Sequence, residues 1–105
     1  MFGLSEIDCQ HIKDALAHYP EIEQAIIFGS RAKGNYQPGS DIDIALKGKR
    51  LTDDTVLQLS DELEEQLPLP YFFDLLIYHS ITNSELHQHI DRVGQVIYKN
   101  DKRIS

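Results

Sequence analysis

The chain has one cysteine, Cys9, so it can form no internal disulfide and is compatible with a reducing compartment. Lying in the first predicted helix, Cys9 reads as a buried, inert thiol. Long apolar stretches are missing as well: no run of about 18 apolar residues marks a membrane span, and no basic-then-apolar N-terminal segment marks an export signal. The cytoplasm is the default expectation. Basic residues are scarce, with 10 Lys and Arg against 17 Asp and Glu, a formal net charge of −7 and a pI near 5.0. Binding through the nucleic-acid backbone usually needs a basic face, so direct nucleic-acid binding is not expected. No internal repeat, low-complexity segment or long linker divides the 105 residues. They suffice for one domain, 1–105, with a single modest core, and are too few for a catalytic domain plus a full acceptor-binding domain.

The residues that can carry chemistry gather in one stretch, Phe28-Gly29-Ser30-Arg31-Ala32-Lys33-Gly34, followed after a short turn by Ser40-Asp41-Ile42-Asp43-Ile44. The β-branched and aromatic run over 25–28 predicts a buried strand that stops at Gly29-Ser30. A strand-to-helix turn there exposes backbone N–H groups and can hold a phosphate. Gly29 lets the backbone come close, Ser30 adds a hydroxyl donor, and a helix beginning near Arg31 adds the positive end of its dipole. Arg31 and Lys33 put two cations nearby, as phosphate ligands or as surface charge. Gly34 ends the short helix, and Gln37-Pro38-Gly39-Ser40 turns the chain into a second strand over 41–46.

On that strand Asp41 and Asp43 point to one face while Ile42 and Ile44 point to the core. Two carboxylates on one face repel, and a cation that prefers oxygen ligands, Mg²⁺, is the natural remedy. A third carboxylate, Asp74, stands in the apolar run over 71–78, where a charge is costly to bury unless paired or metal-bound. If the two strands are neighbours, Asp41, Asp43 and Asp74 converge.

Elsewhere the sequence reads as scaffold. A helix is expected over about 5–18, with Ser5 as N-cap, Asp8 in the capping-box position, an apolar stripe of Ile7, Ile12, Ala15, Leu16 and Tyr19, and Pro20 at its end. The basic loop over 47–50 reads as a solvated turn. Thr52 is expected to cap a helix in which Val56, Leu59, Leu63 and Leu67 recur at threes and fours, while Asp61, Glu62, Glu64, Glu65 and Gln66 take the solvated face. Pro68 and Pro70 end it. Thr82-Asn83-Ser84-Glu85 opens a last helix with Leu86, Ile90 and Val93 on its apolar face and Gly94 at its end. His87 and His89, two apart, point in different directions there and make a poor shared metal site. Residues 96–98 are expected to close against the core as a short extended segment, and the polar tail from Lys99 to be disordered.

Helix, strand, short helix, strand, helix, strand, helix in that order predicts an α/β (α+β) fold in which a small mixed sheet is covered by helices. Strand order stays open. Gly29 and Gly34 have P-loop spacing, but Asn35-Tyr36 stand where that motif needs Lys and Ser or Thr, and no GxGxxG fingerprint is present. Taken singly, Gly29-Ser30 is also compatible with an ordinary turn, and Asp41 and Asp43 with an exposed strand edge. Together they point to a nucleotide and metal site.

Gly29-Ser30-Arg31-x-x-Gly34, Asp41-x-Asp43 and the later Asp74 resemble the signature of the DNA polymerase β-type nucleotidyltransferase superfamily over roughly residues 22–77. The short chain resembles its minimal nucleotidyltransferase (MNT) branch. The resemblance implies the nucleotidyltransferase fold, with Gly29 and Ser30 holding the triphosphate of ATP and Asp41 and Asp43 binding two Mg²⁺ ions. Asp74 is then the third acid, helping to bind the second ion and activating the attacking hydroxyl. Members of this branch are commonly paired with a HEPN protein, often a ribonuclease toxin. The resemblance therefore implies an antitoxin that transfers AMP to a partner HEPN toxin, on a tyrosine hydroxyl. The other readings are a small-molecule nucleotidyltransferase of the aminoglycoside-modifying kind and a non-catalytic module that neutralises its partner by contact.

Overall fold

The β-branched pair Ile26-Ile27 and the alternation of Ile42-Asp43-Ile44 lay down the centre of a four-stranded sheet. In the computed structural model, which describes residues 2–37 and 39–100, the strands are β1 (Gln24–Phe28), β2 (Ile42–Lys47), β3 (Phe73–Ile77) and β4 (Gln95–Lys99). Their order is β3-β2-β1-β4. β1 runs antiparallel to β2 and to β4, whereas β2 and β3 are parallel, so the sheet is mixed as expected. The helices are α1 (Glu6–Ala17), α2 (Gly29–Lys33), α3 (Asp53–Asp61) and α4 (Ser84–Val93), with a π-helical turn over Glu62–Gln66.

Local chemistry sets the helix starts. Ser5 accepts a hydrogen bond from the Asp8 N–H at 3.0 Å, Thr52 one from Thr55 at 3.3 Å, and Asn83 one from Leu86 at 3.1 Å. Each satisfies a backbone donor that the first helical turn leaves unpaired.

The two faces of the sheet are unequal. Ala25, Ile27, Ile42, Ile44 and Leu46 pack with Ile12, Ala15 and Leu16 of α1 and with Leu59 and Leu63, and all of them are buried. Full burial of each large apolar side chain contributes about 1.5–3 kcal/mol, so this face anchors β2 and therefore the residues that alternate with its isoleucines. The opposite face carries a smaller cluster of Ile26, Phe28, Ala45 and Ile90, with α4 as its cover. This cluster stops short of the start of β2 and β3, where Asp41 and Asp74 are exposed.

Several expectations are corrected. Ile7 is 70% exposed, off the buried stripe of α1, because Ile12, Ala15 and Leu16 take the face turned to the sheet. The extended segment expected over 96–98 is present as the edge strand β4, one residue longer at each end: Lys99 pairs with Gln24, and the Asn100 N–H donates to the Glu23 carbonyl at 3.0 Å. Lys99 and Asn100, expected in a disordered tail, are therefore held by the sheet; residues 101–105, the rest of that expectation, lie outside the described residues, as does Pro38 of the expected turn. Lys47 belongs to β2, with its ammonium 4.3 Å from the Tyr78 ring centre, and is not part of a solvated turn.

Glu62 and Glu64 leave the solvated face. Glu62 accepts from the Tyr19 hydroxyl at 2.9 Å and lies 2.7 Å from His18 Nδ1, and Glu64 accepts from the Phe73 N–H at 2.8 Å. The π-helical turn is wider than an α-turn and rotates these side chains out of the 3.6-residue pattern. Burial and the bond to Glu62 push the Tyr19 hydroxyl up to about 12.

Candidate active site

β1 ends at Phe28 and the chain turns at once into α2 through Gly29, whose φ is +72°. Gly29 is required there for two reasons. The left-handed backbone disfavours any residue with a Cβ, and a Cβ would run into the carboxylate of Asp43. Closeness of Gly29 to Asp43 follows from register, because Phe28 is opposite Asp43 in the β1–β2 pair. Gly34 closes α2 in the same left-handed region, at φ +86°.

The parallel β2–β3 pair places Asp43 opposite Asp74. Asp41 is one residue before β2, which begins at Ile42 and not at the expected Asp41. The sheet thus brings Asp43 to the Gly29 turn, with Asp74 beside it on the next strand and Asp41 near enough to act on Asp43 electrostatically. Burial pushes the Asp43 carboxyl up to about 6, and the charges of Asp74 and then Asp41 add to the rise while Arg31 opposes it. Asp74 is exposed, so its place in an apolar strand costs no burial: β3 is an edge strand and this end of the face is uncovered. Among the described residues, no three His, Cys, Asp or Glu side chains stand close enough together to hold a metal ion as they are oriented. The donor set nevertheless fits Mg²⁺: hard carboxylate oxygens on one face, one of them carrying an electrostatic load that a divalent cation relieves.

Arg31 is placed differently from either reading of the sequence. It is 3% exposed, neither a surface charge nor free to meet a phosphate. Its guanidinium donates to the Ser40 carbonyl at 3.2 and 2.8 Å and to the Phe2 carbonyl at 2.9 Å, and it lies 5.3 Å from the Tyr36 ring centre and 5.2 Å from that of Tyr71. Lys33 is exposed on the last residue of α2. Ser30 is half-buried beside Gly29.

One residue at this turn escaped the sequence reading. His89 of α4 accepts a hydrogen bond from the Gly29 N–H on its Nε2, at 3.2 Å, and meets the Phe28 ring edge-on at a centroid distance of 6.2 Å. The available signal was position: His89 is three residues past Leu86 and next to Ile90, on the helix side that packs against the sheet. His87 faces Tyr78 instead, with ring centroids 4.4 Å apart, so the two histidines do diverge.

The sequence profile of the family described as "Polymerase beta, Nucleotidyltransferase" matches residues 10–103. The chain belongs to the polymerase β nucleotidyltransferase family. No curated protein matches it. Among solved structures, this nucleotidyltransferase is similar to a chain of a toxin–antitoxin complex with AMP-PNP, at 24% identity and a TM-score of 0.72, over 90% of this chain and 75% of that one. It is also similar to a chain of the tri-AMPylated Shewanella oneidensis HEPN toxin in complex with MNT antitoxin, at 21% identity and a TM-score of 0.69, over 94% and 76%. A third likeness, to a MntA–HepT toxin–antitoxin structure, has 21% identity and a TM-score of 0.68 over 93% and 75%. At these identities the structural likeness speaks for the nucleotidyltransferase fold. No helix among the described residues is long and apolar enough to cross a membrane.

Proposed function

We propose that this chain is a single minimal nucleotidyltransferase domain that transfers AMP from ATP to a tyrosine hydroxyl of a partner HEPN toxin in the cytoplasm, and so acts as its antitoxin. The observation that carries the reading is the register of Asp43 against Asp74 on the uncovered end of the sheet, beside the Gly29 turn. Family membership supports nucleotidyl transfer, and the likeness to an MNT antitoxin bound to an AMPylated HEPN toxin supports the acceptor class.

In this reading the Gly29 N–H and the Ser30 hydroxyl and N–H hold the polyphosphate, with Lys33 at the end of α2 as an outer cation. Asp41 and Asp43, with Asp74, would hold two Mg²⁺ ions, which neutralise charge on the triphosphate and acidify the acceptor hydroxyl when bound. Asp74, on the open edge of the sheet, takes the proton from the acceptor hydroxyl. Its oxygen attacks the α-phosphorus in line, the bond to the β-phosphate oxygen breaks, and pyrophosphate leaves. The rate enhancement comes mainly from positioning and charge neutralisation.

The test is intact-mass spectrometry of the HEPN partner co-expressed with the wild-type chain or with Asp41→Ala/Asp43→Ala. AMP increments on the partner with wild type, missing with the double variant, are expected. A stable complex without increments in either case overturns protein adenylylation in favour of contact-only neutralisation. Turnover of a small acceptor with no protein partner overturns it in favour of a small-molecule enzyme.

A further inference from the structure

The hydrogen bond between Gly29 and His89 joins the phosphate turn to α4. Because the Gly29 N–H donates to Nε2, that nitrogen carries no proton and the ring's own N–H is on Nδ1. His89 therefore occupies the backbone donor that an incoming phosphate oxygen needs. Besides the Ser30 hydroxyl and the exposed Lys33 at the far end of α2, the turn has few side-chain donors for an anion. Arg31 is committed to the Phe2 and Ser40 carbonyls, and Lys47 lies over Tyr78, at the opposite end of the β1–β2 pair from Phe28. His89 is half-buried and held by the Phe28 ring, with its reactive nitrogen already at the turn.

We propose that His89 is a polyphosphate ligand: on nucleotide binding it releases the Gly29 N–H to a phosphate oxygen and donates its own Nε2–H to the same phosphate group. The ring proton passes from Nδ1 to Nε2 by exchange with solvent. One acceptor in the free protein becomes one donor in the complex, and two donors, Gly29 N–H and His89 Nε2–H, then converge on an anion. This assignment rests on the nucleotidyltransferase reading, since it needs a polyphosphate at Gly29. It also explains why α4 packs its second histidine against the end of β1 when an aliphatic residue would fill the same space.

The test compares Mg²⁺-loaded wild type, His89→Ala and His89→Gln by calorimetric titration with inorganic tripolyphosphate, ATP and AMP, with thermal melts to show that each variant is folded. For His89→Ala, affinity for tripolyphosphate and ATP is expected to fall about tenfold, the loss of one hydrogen bond to a charged group, while AMP binding stays within twofold. His89→Gln, whose amide can also accept from Gly29 or donate to phosphate, is expected to recover most of the loss. Unchanged ATP and tripolyphosphate affinity in His89→Ala, or an equal loss for AMP and ATP, overturns the assignment while leaving nucleotidyl transfer intact. If wild type binds neither ATP nor tripolyphosphate, the nucleotidyltransferase reading itself fails, and this one with it.

Discussion

Arg31 donates twice to the carbonyl oxygen of Ser40, at 3.2 and 2.8 Å, and so ties the turn after β1 to the residue that precedes Asp41. The Gly29 turn and the carboxylate-bearing strand of the candidate site are thereby tied together through backbone carbonyls. Arg31→Ala is expected to lower unfolding stability by about 2–3 kcal/mol, because buried hydrogen bonds to a charged group are lost and carbonyls are left without partners. Arg31→Lys is expected to rescue little, since an ammonium cannot span the Ser40 and Phe2 carbonyls as the guanidinium fork does. Urea denaturation of the three proteins checks both statements.

Gly29→Ala places a Cβ against the Asp43 carboxylate in a backbone region that side chains avoid. Expected are a stability loss of about 1–3 kcal/mol and a larger loss of ATP binding, because relief of the clash moves either the turn or Asp43. Gly34→Ala has the same backbone cost but meets no atom within 4 Å, so it is the control: comparable destabilisation with ATP binding retained. Paired melting curves and ATP titrations separate the two effects.

Asp43 makes the metal-free protein pH-sensitive. Its carboxyl is raised from an ordinary 3.8 to about 6, first by burial and then by Asp74 and Asp41. The folded state then binds more protons than the unfolded chain between those values, so stability falls as pH rises through that window. The contribution is complete below about pH 4 and gone above about pH 6. In EDTA, Asp43→Asn is expected to melt higher than wild type at pH 7 and to flatten the change between pH 4 and 6. Added Mg²⁺ is expected to raise the melting temperature of wild type at pH 7 and not that of the variant.

Glu64 reaches across from the π-helical turn to accept the Phe73 N–H at 2.8 Å, at the first residue of β3. Removing it in Glu64→Ala leaves a half-buried backbone donor unpaired next to Asp74. A destabilisation of about 1–2 kcal/mol is expected, with faster amide exchange at Phe73, whereas Glu65→Ala, on the exposed face, is expected to change neither. Hydrogen-exchange measurements on both variants decide it.

Much of the candidate site is legible in the sequence because its parts are adjacent along the chain. Gly29, Ser30, Asp41 and Asp43 lie within one strand–turn–strand, and a side-chain period of two puts Asp43 on the face opposite the buried Ile42 and Ile44. The helix caps at Ser5 and Thr52 were legible for the same reason, being contacts three residues long. Glu62 and Glu64 are not legible, because a π-turn leaves no mark in an α-helical pattern, whereas the Val-Ile-Tyr triplet at 96–98 marks an extended segment and only its pairing beside β1 and its extra residue at each end depend on tertiary contacts.

By itself the sequence determined the mixed α/β character, the strand-to-helix turn at Gly29 and the pairing of acids two apart, all consequences of local backbone geometry. Tertiary structure alone decided which strand lies beside β2, and with it that Asp74 stands opposite Asp43; that Arg31 is buried against the Ser40 and Phe2 carbonyls; and that His89, 60 residues from Gly29, closes on its N–H. Those three outcomes depend on which apolar faces bury against each other. Hydrophobic burial is non-directional, and it brings together residues whose separation along the chain carries no record of their contact.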